Sequence, residues 1–248
     1  MGSLVCRTVG ADPELKLVAG IDPFHAGIDI RHVTGANVSG LQISPDAEAL
    51  ARARADVAID FTHIDAAREN LEWCAENAVH AVVGTTGFLP EDYEHLATRF
   101  TKSNCFIAPN FAIGAVLMMR FAELAAPYFE TVEIVELHHD QKADAPSGTA
   151  MLTAQRVAAA SSEWAPDPTT NVVVEGVRGG EAASGIRVHS VRMRGLVAHH
   201  EVLLGTTGQS LSIRHDSYDR SSFMPGVILA VKSVAGRPGL TVGLDALL

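Results

Sequence analysis

Hydrophobic and polar positions follow two alternating periods through the first half of the chain. Apolar residues at helical spacing predict helices at residues 2–10, 65–78, from Pro90 onward, and 113–129. Short apolar runs predict strands at residues 15–22, 56–62, 79–84 and 104–108. Strands that alternate with helices in this way favour an α/β domain built on a parallel sheet.

The pattern changes after residue 129. TVEIVELHH predicts a strand, DQKADAPSG a polar loop, and residues 149–160 a helix. A proline-rich connection at 162–171 leads to GIRVHSVRM, HEVLLG and SLSIRHDS, which we expect to be antiparallel strands between glycine turns. A helix at 222–235 closes the chain. The sequence thus predicts an α/β nucleotide-type domain, residues 1–111 and 220–248, with an inserted α+β domain at 112–219.

Three loops of the first domain are candidates for a nucleotide site. The opening MGSLVCRTVGADPELKLVAGIDP reads as a helix, a turn at Asp12-Pro13 and a strand, like the second half of a nucleotide-binding βαβ unit. Asp22 ends that strand, 20 residues after Gly2, near the spacing at which an acid meets the adenosine ribose. Because ligands bind beyond the carboxyl ends of parallel strands, Asp22, GTTG at 84–87 and APNF at 108–111 should line one crevice.

The densest chemistry lies in ELHHDQKADAPSGTA, which begins at Glu136. His138 offers an imidazole that titrates near neutrality, and Lys142 offers an ammonium group. Ser147 is a candidate N-cap, and the free amides after it form a ready site for an anion. Together these groups suit proton donation to a small substrate that carries carboxylates.

Other histidine-based sites are less favoured by the sequence. Adjacent histidines of a strand point to opposite faces, so His138, His139 and Asp140 make a poor zinc site. The pair His199-His200 lies in a predicted antiparallel strand, and a structural role is expected there. We therefore predict no metal site.

Composition narrows the class of partner. The chain has 248 residues, a formal net charge of -10 and no run of Lys or Arg, which argues against nucleic acid or an anionic membrane as partner. Cys6, Cys74 and Cys105 are scattered, which predicts reduced thiols and a cytoplasmic location. No apolar run is long enough for a membrane span, and no signal-peptide pattern opens the chain.

ELHHDQKADAPSGTA, VVGTTGF and APNFAIGAV together resemble the 4-hydroxy-tetrahydrodipicolinate (dihydrodipicolinate) reductases of bacterial lysine and diaminopimelate synthesis. The resemblance spans essentially the whole chain, and DFT, HDSYDRSSFMPGV and RPGLTVGL are similar to the actinobacterial branch. It implies an oxidoreductase that uses NADH, NADPH or both on a small dicarboxylate. It also implies a Rossmann-type domain plus a mixed-sheet substrate domain that assembles a homotetramer.

The resemblance also implies residue roles. His138 would be the general acid/base and Lys142 the donor of a proton to the ring carbon beside the one that receives hydride. His139 and the amides of Gly148 and Thr149 would hold substrate carboxylates. Asp22 would take the adenosine ribose hydroxyls, with a preference for NADH because its charge repels a 2′-phosphate. The remaining cofactor contacts would be Gly84, Thr85, Thr86, Ala108, Pro109, Asn110 and Phe111.

The chain departs from the family pattern in two places. Ile64 stands where the family has proline, which should reshape one turn. Only Met1-Gly2 matches the G-x-x-G-R-M-G phosphate loop, so we expect the first strand and that loop to be missing from this sequence. Two alternatives therefore remain: another Rossmann dehydrogenase acting on imines, or a catalytically silent module that keeps substrate binding or oligomerisation.

Overall fold

The structure is a computed structural model that describes residues 1–161 and 163–248. By internal contacts the chain divides into two compact units. The first unit comprises Met1–Phe111 and Phe223–Leu248, and the second comprises Ala112–Ser222. The second division falls three residues beyond the predicted boundary after residue 219.

The regular elements of the described residues are as follows. The helices are α1 (Gly2–Ala11), α2 (Ile30–Thr34), α3 (Glu48–Ala53), α4 (Ile64–Glu76), α5 (Pro90–Arg99), α6 (Ile113–Ala125), α7 (Gly148–Ala160) and α8 (Met224–Ser233). The strands are β1 (Val57–Asp60), β2 (His80–Val83), β3 (Cys105–Ile107), β4 (Thr131–His138), β5 (Gly180–Glu181), β6 (Arg187–Arg192), β7 (Ala198–Thr206), β8 (Gln209–Ser217) and β9 (Leu240–Val242).

The first unit is built on a parallel sheet of order β1-β2-β3-β9. Its central strands are apolar on both faces, as expected where helices cover a parallel sheet on both sides. Val82, Val83 and Phe106 are almost completely buried. Leu71 and Cys74, one turn apart on α4, join the same core. This Rossmann-like sheet confirms the predicted fold class.

The predicted strand at residues 15–22 does not form. Among the described residues, residues 15–20 take part in no strand ladder, and the segment makes one isolated bridge, between Ile21 and Ser44. A strand needs a neighbour that pairs with it along its length. Apart from local turn bonds, the backbone hydrogen bonds that this segment makes with the other described residues are those of Ser44 with Gly20 and Asp22.

The second unit is built on a mixed sheet of order β5-β6-β4-β7-β8. β7 is antiparallel to β8, as the sequence predicts, and it is also antiparallel to β4. β6 is antiparallel to β5, but its other neighbour is β4, to which it is parallel, and it does not pair with β7. The reason is the crossover through α7, which returns the chain to the same end of the sheet before β6 begins.

Two predicted helices differ clearly from the structure in extent. α6 ends at Ala125, and Ala126–Tyr128 forms one 3₁₀ turn because Pro127 cannot continue the helix. α8 begins at Met224, after a 3₁₀ turn at Arg220–Phe223. In the proline-rich connection, Ser162 lies outside the described residues.

Candidate active site

Two of the predicted nucleotide loops leave the same edge of the first unit's sheet. The register pairs Asp60 with Val83 and Val83 with Ile107, so β1, β2 and β3 end level with one another. Gly84 N donates to Asp60 O (2.8 Å), and Ala108 N donates to Val83 O (3.0 Å). The loops that follow β2 and β3 therefore emerge side by side.

Asp60 fixes the first of these loops. Its buried Oδ1 accepts hydrogen bonds from Thr85 Oγ1 (2.7 Å), Thr62 N (3.0 Å) and Thr62 Oγ1 (2.8 Å). Its Oδ2 accepts from Asn70 Nδ2 (2.8 Å). Hydroxyl and amide donors thus satisfy a carboxylate that is almost removed from water.

The two loops offer different kinds of surface. Thr86 and Pro109 are exposed, whereas Ala108 and Phe111 are buried. The Phe111 ring packs against Phe61, with ring centroids 5.8 Å apart. Of the predicted contacts after β3, Ala108 and Phe111 thus lie in the core, and Pro109 and Asn110 are the more accessible ones.

Gly84 is a glycine because of close packing. A Cβ added there would collide with the ring of Phe61. Glycine thus lets this ring lie directly beneath the start of the loop.

Asp22 lies at the start of a 3₁₀ turn, Pro23–His25, instead of at a strand end. Its Oδ1 accepts from Phe24 N (2.9 Å), and its Oδ2 lies 2.7 Å from His25 Nδ1. The bond to His25 lowers the pKa of this carboxyl. The side chain is therefore a half-exposed anion held in a defined direction.

In the second unit, the end of β4 carries an imidazole that rests on a buried carboxylate. His138 Nδ1 lies 2.5 Å from Glu136 Oε2. Arg192 on β6 holds the same carboxylate by two hydrogen bonds, Nη1 to Oε2 (2.9 Å) and Nη2 to Oε1 (2.7 Å). Ser147 N donates to Oε1 (3.2 Å).

Charge neutralisation decides the ionisation of this group. Burial favours the protonated form of Glu136, but hydrogen bonds from Arg192, Ser190 and His138 outweigh it and hold its pKa at about 2. Burial lowers the pKa of His138 and outweighs the attraction of Glu136. Because an anionic acid faces Nδ1, neutral His138 carries its proton there and leaves Nε2 as the free nitrogen.

The loop after β4 carries the other predicted groups. Lys142 Nζ pairs with Asp144 Oδ1 (2.7 Å), and His139 is exposed. Ser147 is the N-cap of α7, as predicted, with its hydroxyl accepting from Ala150 N (3.3 Å).

The first turn of α7 is open to a ligand. Within the described part of the chain no hydrogen bond engages the amides of Gly148 and Thr149. A Cβ built on Gly148 meets no atom within 4 Å. These amides can therefore bind an anion.

The other histidine pair is buried in the sheet. His199 Nδ1 lies 2.6 Å from Asp216 Oδ1. His200, opposite Glu136 in the β4–β7 register, has a pKa lowered by burial to about 4. His200 is therefore a neutral ring of the interior.

Sequence analysis missed three residues of this arrangement: Glu136, Arg192 and Asp60. The signal for Glu136 was available, because it continues the inward-facing row of Val132 and Ile134 in TVEIVELHH. A charge in such a row needs a buried partner. The sequence did not reveal the partner, since Arg192 is brought to it by a crossover of more than fifty residues.

Across residues 1–161 and 163–248, no group of three or more His, Cys, Asp or Glu side chains has the arrangement of a metal site. No helix among these residues has the length and hydropathy of a transmembrane span.

Comparison with known sequences decides the family. Residues 1–111 match the family model described as "Dihydrodipicolinate reductase, N-terminus", and residues 114–248 match "Dihydrodipicolinate reductase, C-terminus". The chain belongs to the dihydrodipicolinate reductase family. The predicted resemblance is thereby confirmed.

Individual reductases support the assignment. A 4-hydroxy-tetrahydrodipicolinate reductase of Mycobacterium sp. (strain KMS) is 53% identical over 214 residues, 85% of this chain and 87% of that protein. The enzyme of Mycolicibacterium vanbaalenii is 49% identical over 236 residues, 94% of this chain and 93% of that protein.

Among solved structures, the dipicolinate-bound dihydrodipicolinate reductase of Paenisporosarcina sp. TG-14 is 41% identical, with a TM-score of 0.86. The match covers 100% of this chain and 95% of that one. An amine dehydrogenase of Mycobacterium smegmatis is 16% identical, with a TM-score of 0.65, and shows likeness of fold alone.

The network at Asp60 gives a stability prediction. Asp60→Ala leaves the hydroxyl of Thr85 and the amide of Asn70 without their buried acceptor, so we expect a loss of about 3 kcal/mol in the free energy of unfolding. Urea denaturation measures this loss. Asp46→Ala removes an exposed carboxylate 3.7 Å from Arg52 and should change stability by less than about 0.5 kcal/mol. Equal effects of the two substitutions would contradict the role given to Asp60.

Proposed function

We propose that this chain reduces 4-hydroxy-tetrahydrodipicolinate to tetrahydrodipicolinate with a nicotinamide cofactor, in diaminopimelate and lysine synthesis. The observation that carries the proposal is that one short stretch of the second unit holds two proton donors and an anion site. These are His138, Lys142 and the open amides of Gly148 and Thr149. The mycobacterial relatives named as reductases of this substrate support it.

The first unit's loops fit a nicotinamide cofactor. Gly84, Thr85 and Thr86 begin beyond the carboxyl end of β2, where open parallel sheets bind nucleotides. Ala108, Pro109, Asn110 and Phe111 occupy the corresponding place after β3. Asp22 offers a fixed carboxylate for ribose hydroxyls. When bound, the cofactor supplies a hydride to the substrate ring.

The second unit's groups perform the remaining steps. Loss of the 4-hydroxyl as water, with a proton from the adjacent carbon, leaves the unsaturated dihydrodipicolinate ring. Addition of hydride to one carbon of that ring leaves electron density on its neighbour, which must receive a proton. Lys142 is the proposed donor, and protonated His138 presents its Nε2–H as general acid. Positioned acids of this kind contribute roughly 10²- to 10⁴-fold. After the transfer, the neutral imidazole of His138 regains its proton from water.

The substrate's carboxylates have donors in the same loop. The amides of Gly148 and Thr149 at the start of α7, together with His139, supply hydrogen bonds and partial positive charge. The solved relative with bound dipicolinate supports a small dicarboxylate as ligand.

We expect His138→Ala and Lys142→Ala each to lower kcat by about 100-fold or more, because each removes a proton donor. The affinity for NADH, measured by fluorescence titration, should stay within about twofold because the cofactor loops are unchanged. Lys102→Ala, which removes an exposed lysine of the first unit, is the matched control and should retain full turnover. Near-normal rates in either variant would remove that residue from the mechanism.

The same titration of the unmodified protein separates the proposal from the silent-module alternative. An enzyme must bind NADH or NADPH measurably, whereas a module that only binds substrate or oligomerises need not. Absence of binding would contradict reductase activity for this chain.

For the cofactor, we propose that NADH is preferred over NADPH because of the charge at Asp22. Asp22→Asn keeps an oxygen that accepts from Phe24 N, so the turn is preserved while the charge is lost. The ratio of NADPH to NADH affinity should then rise by about tenfold. Asp29→Asn is the matched control, because Asp29 caps α2 in the same way through Arg31 N (2.9 Å). A similar loss of both affinities in Asp22→Asn would identify Asp22 as structural only.

We further propose a homotetramer assembled through the second unit's sheet. The register places Val135, Leu137 and Leu203 on one face, and Leu203 is exposed. Four further valines are exposed in the connection before β5, Val172, Val173, Val174 and Val177. Such a concentration of apolar side chains at a surface marks an interaction site.

Sedimentation velocity tests the assembly. The wild type should sediment as four 26.3 kDa chains, and Leu203→Asp should yield smaller species because it buries a charge in the interface. Leu124→Asp, at an exposed leucine of α6, should leave the tetramer intact. A monomeric wild type would refute the proposal.

We also infer a cytoplasmic location. Cys74 and Cys105 are buried free thiols, and burial raises the pKa of Cys74 to about 12, as expected for inert structural thiols.

A further inference from the structure

We propose that Glu136, fixed by Arg192, is a positioning residue of the active site. It determines which nitrogen of His138 carries the proton, and it joins three parts of the substrate loop. The inference rests on the proposed function, because it gives His138 its direction in that reaction. Glu136 itself is fully buried and touches no ligand surface. Its action is through the groups that it binds.

The first connection is to the imidazole. The Glu136 carboxylate faces His138 Nδ1 at 2.5 Å, and a carboxylate can only accept there. Nδ1 must therefore carry a proton in both the neutral and the charged ring. Nε2 is left to gain and lose the proton, which is what a general acid/base needs.

The second connection is to the start of α7. Glu136 Oε1 accepts from Ser147 N at 3.2 Å, and Ser147 is the N-cap before Gly148 and Thr149. The buried carboxylate therefore fixes the position of the first turn of α7, which presents the anion-binding amides.

The third connection runs through Arg192 to the loop that carries Lys142. Arg192 Nη2 donates both to Glu136 Oε1 and to the backbone oxygen of Asp144, each at 2.7 Å. Asp144 in turn holds the Lys142 ammonium at 2.7 Å. Glu136 thus links, directly or through at most two residues, every second-unit group of the proposed chemistry except His139.

The charged and titratable groups around His138 agree with this role. Glu136 lies on the same strand, Arg192 on β6, Lys142 in the loop and His200 on β7. Glu136 is the single anion among the four. Its removal leaves His138 beside two cations and a neutral imidazole, so the protonated form of His138 loses its counter-charge.

The amide of Glu136→Gln should reverse the tautomer. Placed at the Oε1 position, its NH₂ group would face the donors of Ser147 and Arg192. Placed at the Oε2 position, it would face one Arg192 donor and His138 Nδ1. The second placement has fewer donor–donor contacts, and it requires Nδ1 to accept, which moves the proton of the neutral ring to Nε2.

β4 also supplies a matched control. Glu133 binds His189 Nε2 at 2.7 Å and is paired with Arg178, so it too joins one arginine and one histidine. Glu133 lies three residues before Glu136 and therefore faces the opposite side of the sheet. Glu133→Gln removes the same charge and the same kind of pair without contact to His138.

The first measurement is ¹⁵N NMR of the full chain labelled at histidine, with the His138 signals assigned by their loss in His138→Gln. In the wild type, neutral His138 should be protonated at Nδ1; a ring protonated at Nε2 would overturn the proposal. In Glu136→Gln the Nε2-protonated form should dominate and the pKa of His138 should fall. Glu133→Gln should show the wild-type pattern.

The second measurement is kcat and KM against pH. We expect Glu136→Gln to lower kcat by about 100-fold. The alkaline limb of the pH profile, which reports the loss of the proton from His138, should shift to lower pH. Glu133→Gln should stay within about twofold of the wild type. Wild-type kcat, pH profile and tautomer in Glu136→Gln would overturn the proposal.

If Glu136→Gln does not fold, Glu136→Asp takes its place. Its carboxylate is one methylene shorter and cannot keep all three connections, so kcat should fall by about tenfold with a mixed tautomer; unchanged turnover and tautomer would overturn the proposal. A wild-type protein with the expected tautomer and no turnover would refute the proposed reductase activity and still support the positioning of His138.

Discussion

The second unit depends on one buried ion pair, between Glu136 and Arg192. An isolated carboxylate in the centre of a sheet is strongly disfavoured, and only a partner of opposite charge with further hydrogen bonds makes it tolerable. Arg192 supplies two hydrogen bonds, and Ser147 N, His138 and Ser190 supply further ones. Because removal of either partner would leave a buried charge unpaired, the pair constrains β4, β6 and the start of α7 together.

The first unit solves a similar problem without a cation. Asp60 ends β1 and is nearly buried, yet its partners are two threonine hydroxyls, an asparagine amide and a backbone N–H. This difference between uncharged partners at Asp60 and a charged partner at Glu136 suits the ligands that we propose for the two units. A neutral network holds the loop expected to meet the cofactor, whereas the ionic network keeps a proton-transferring imidazole in one tautomer. In each unit a carboxylate below the surface fixes the loop that carries the exposed groups.

Elements with strong local signals were predictable. The α4 pattern, the proline that opens α5 and the N-cap Ser147 before α7 each depend on residues within one or two turns, and each prediction is confirmed. Residues 15–22 show the limit of such signals. Their apolar content is that of a strand, but pairing depends on a neighbour, and in the part of the chain that the structure describes this segment bridges to Ser44 alone. β6 formed as predicted, but its pairing with β4 was not predicted, because β4 lies far away in the chain.

The sequence by itself determined the family, the α/β character and the loop that contains His138 and Lys142, because these follow from contiguous motifs and short-range periodicity. Only the tertiary structure decided which nitrogen of His138 is free, what holds the GTTG loop, and how the inward charge at Glu136 is neutralised. Each of these depends on a partner brought close by sheet register, as Arg192 is to Glu136 and Thr85 is to Asp60. Register is a property of strand pairing between distant segments, and no local pattern encodes it.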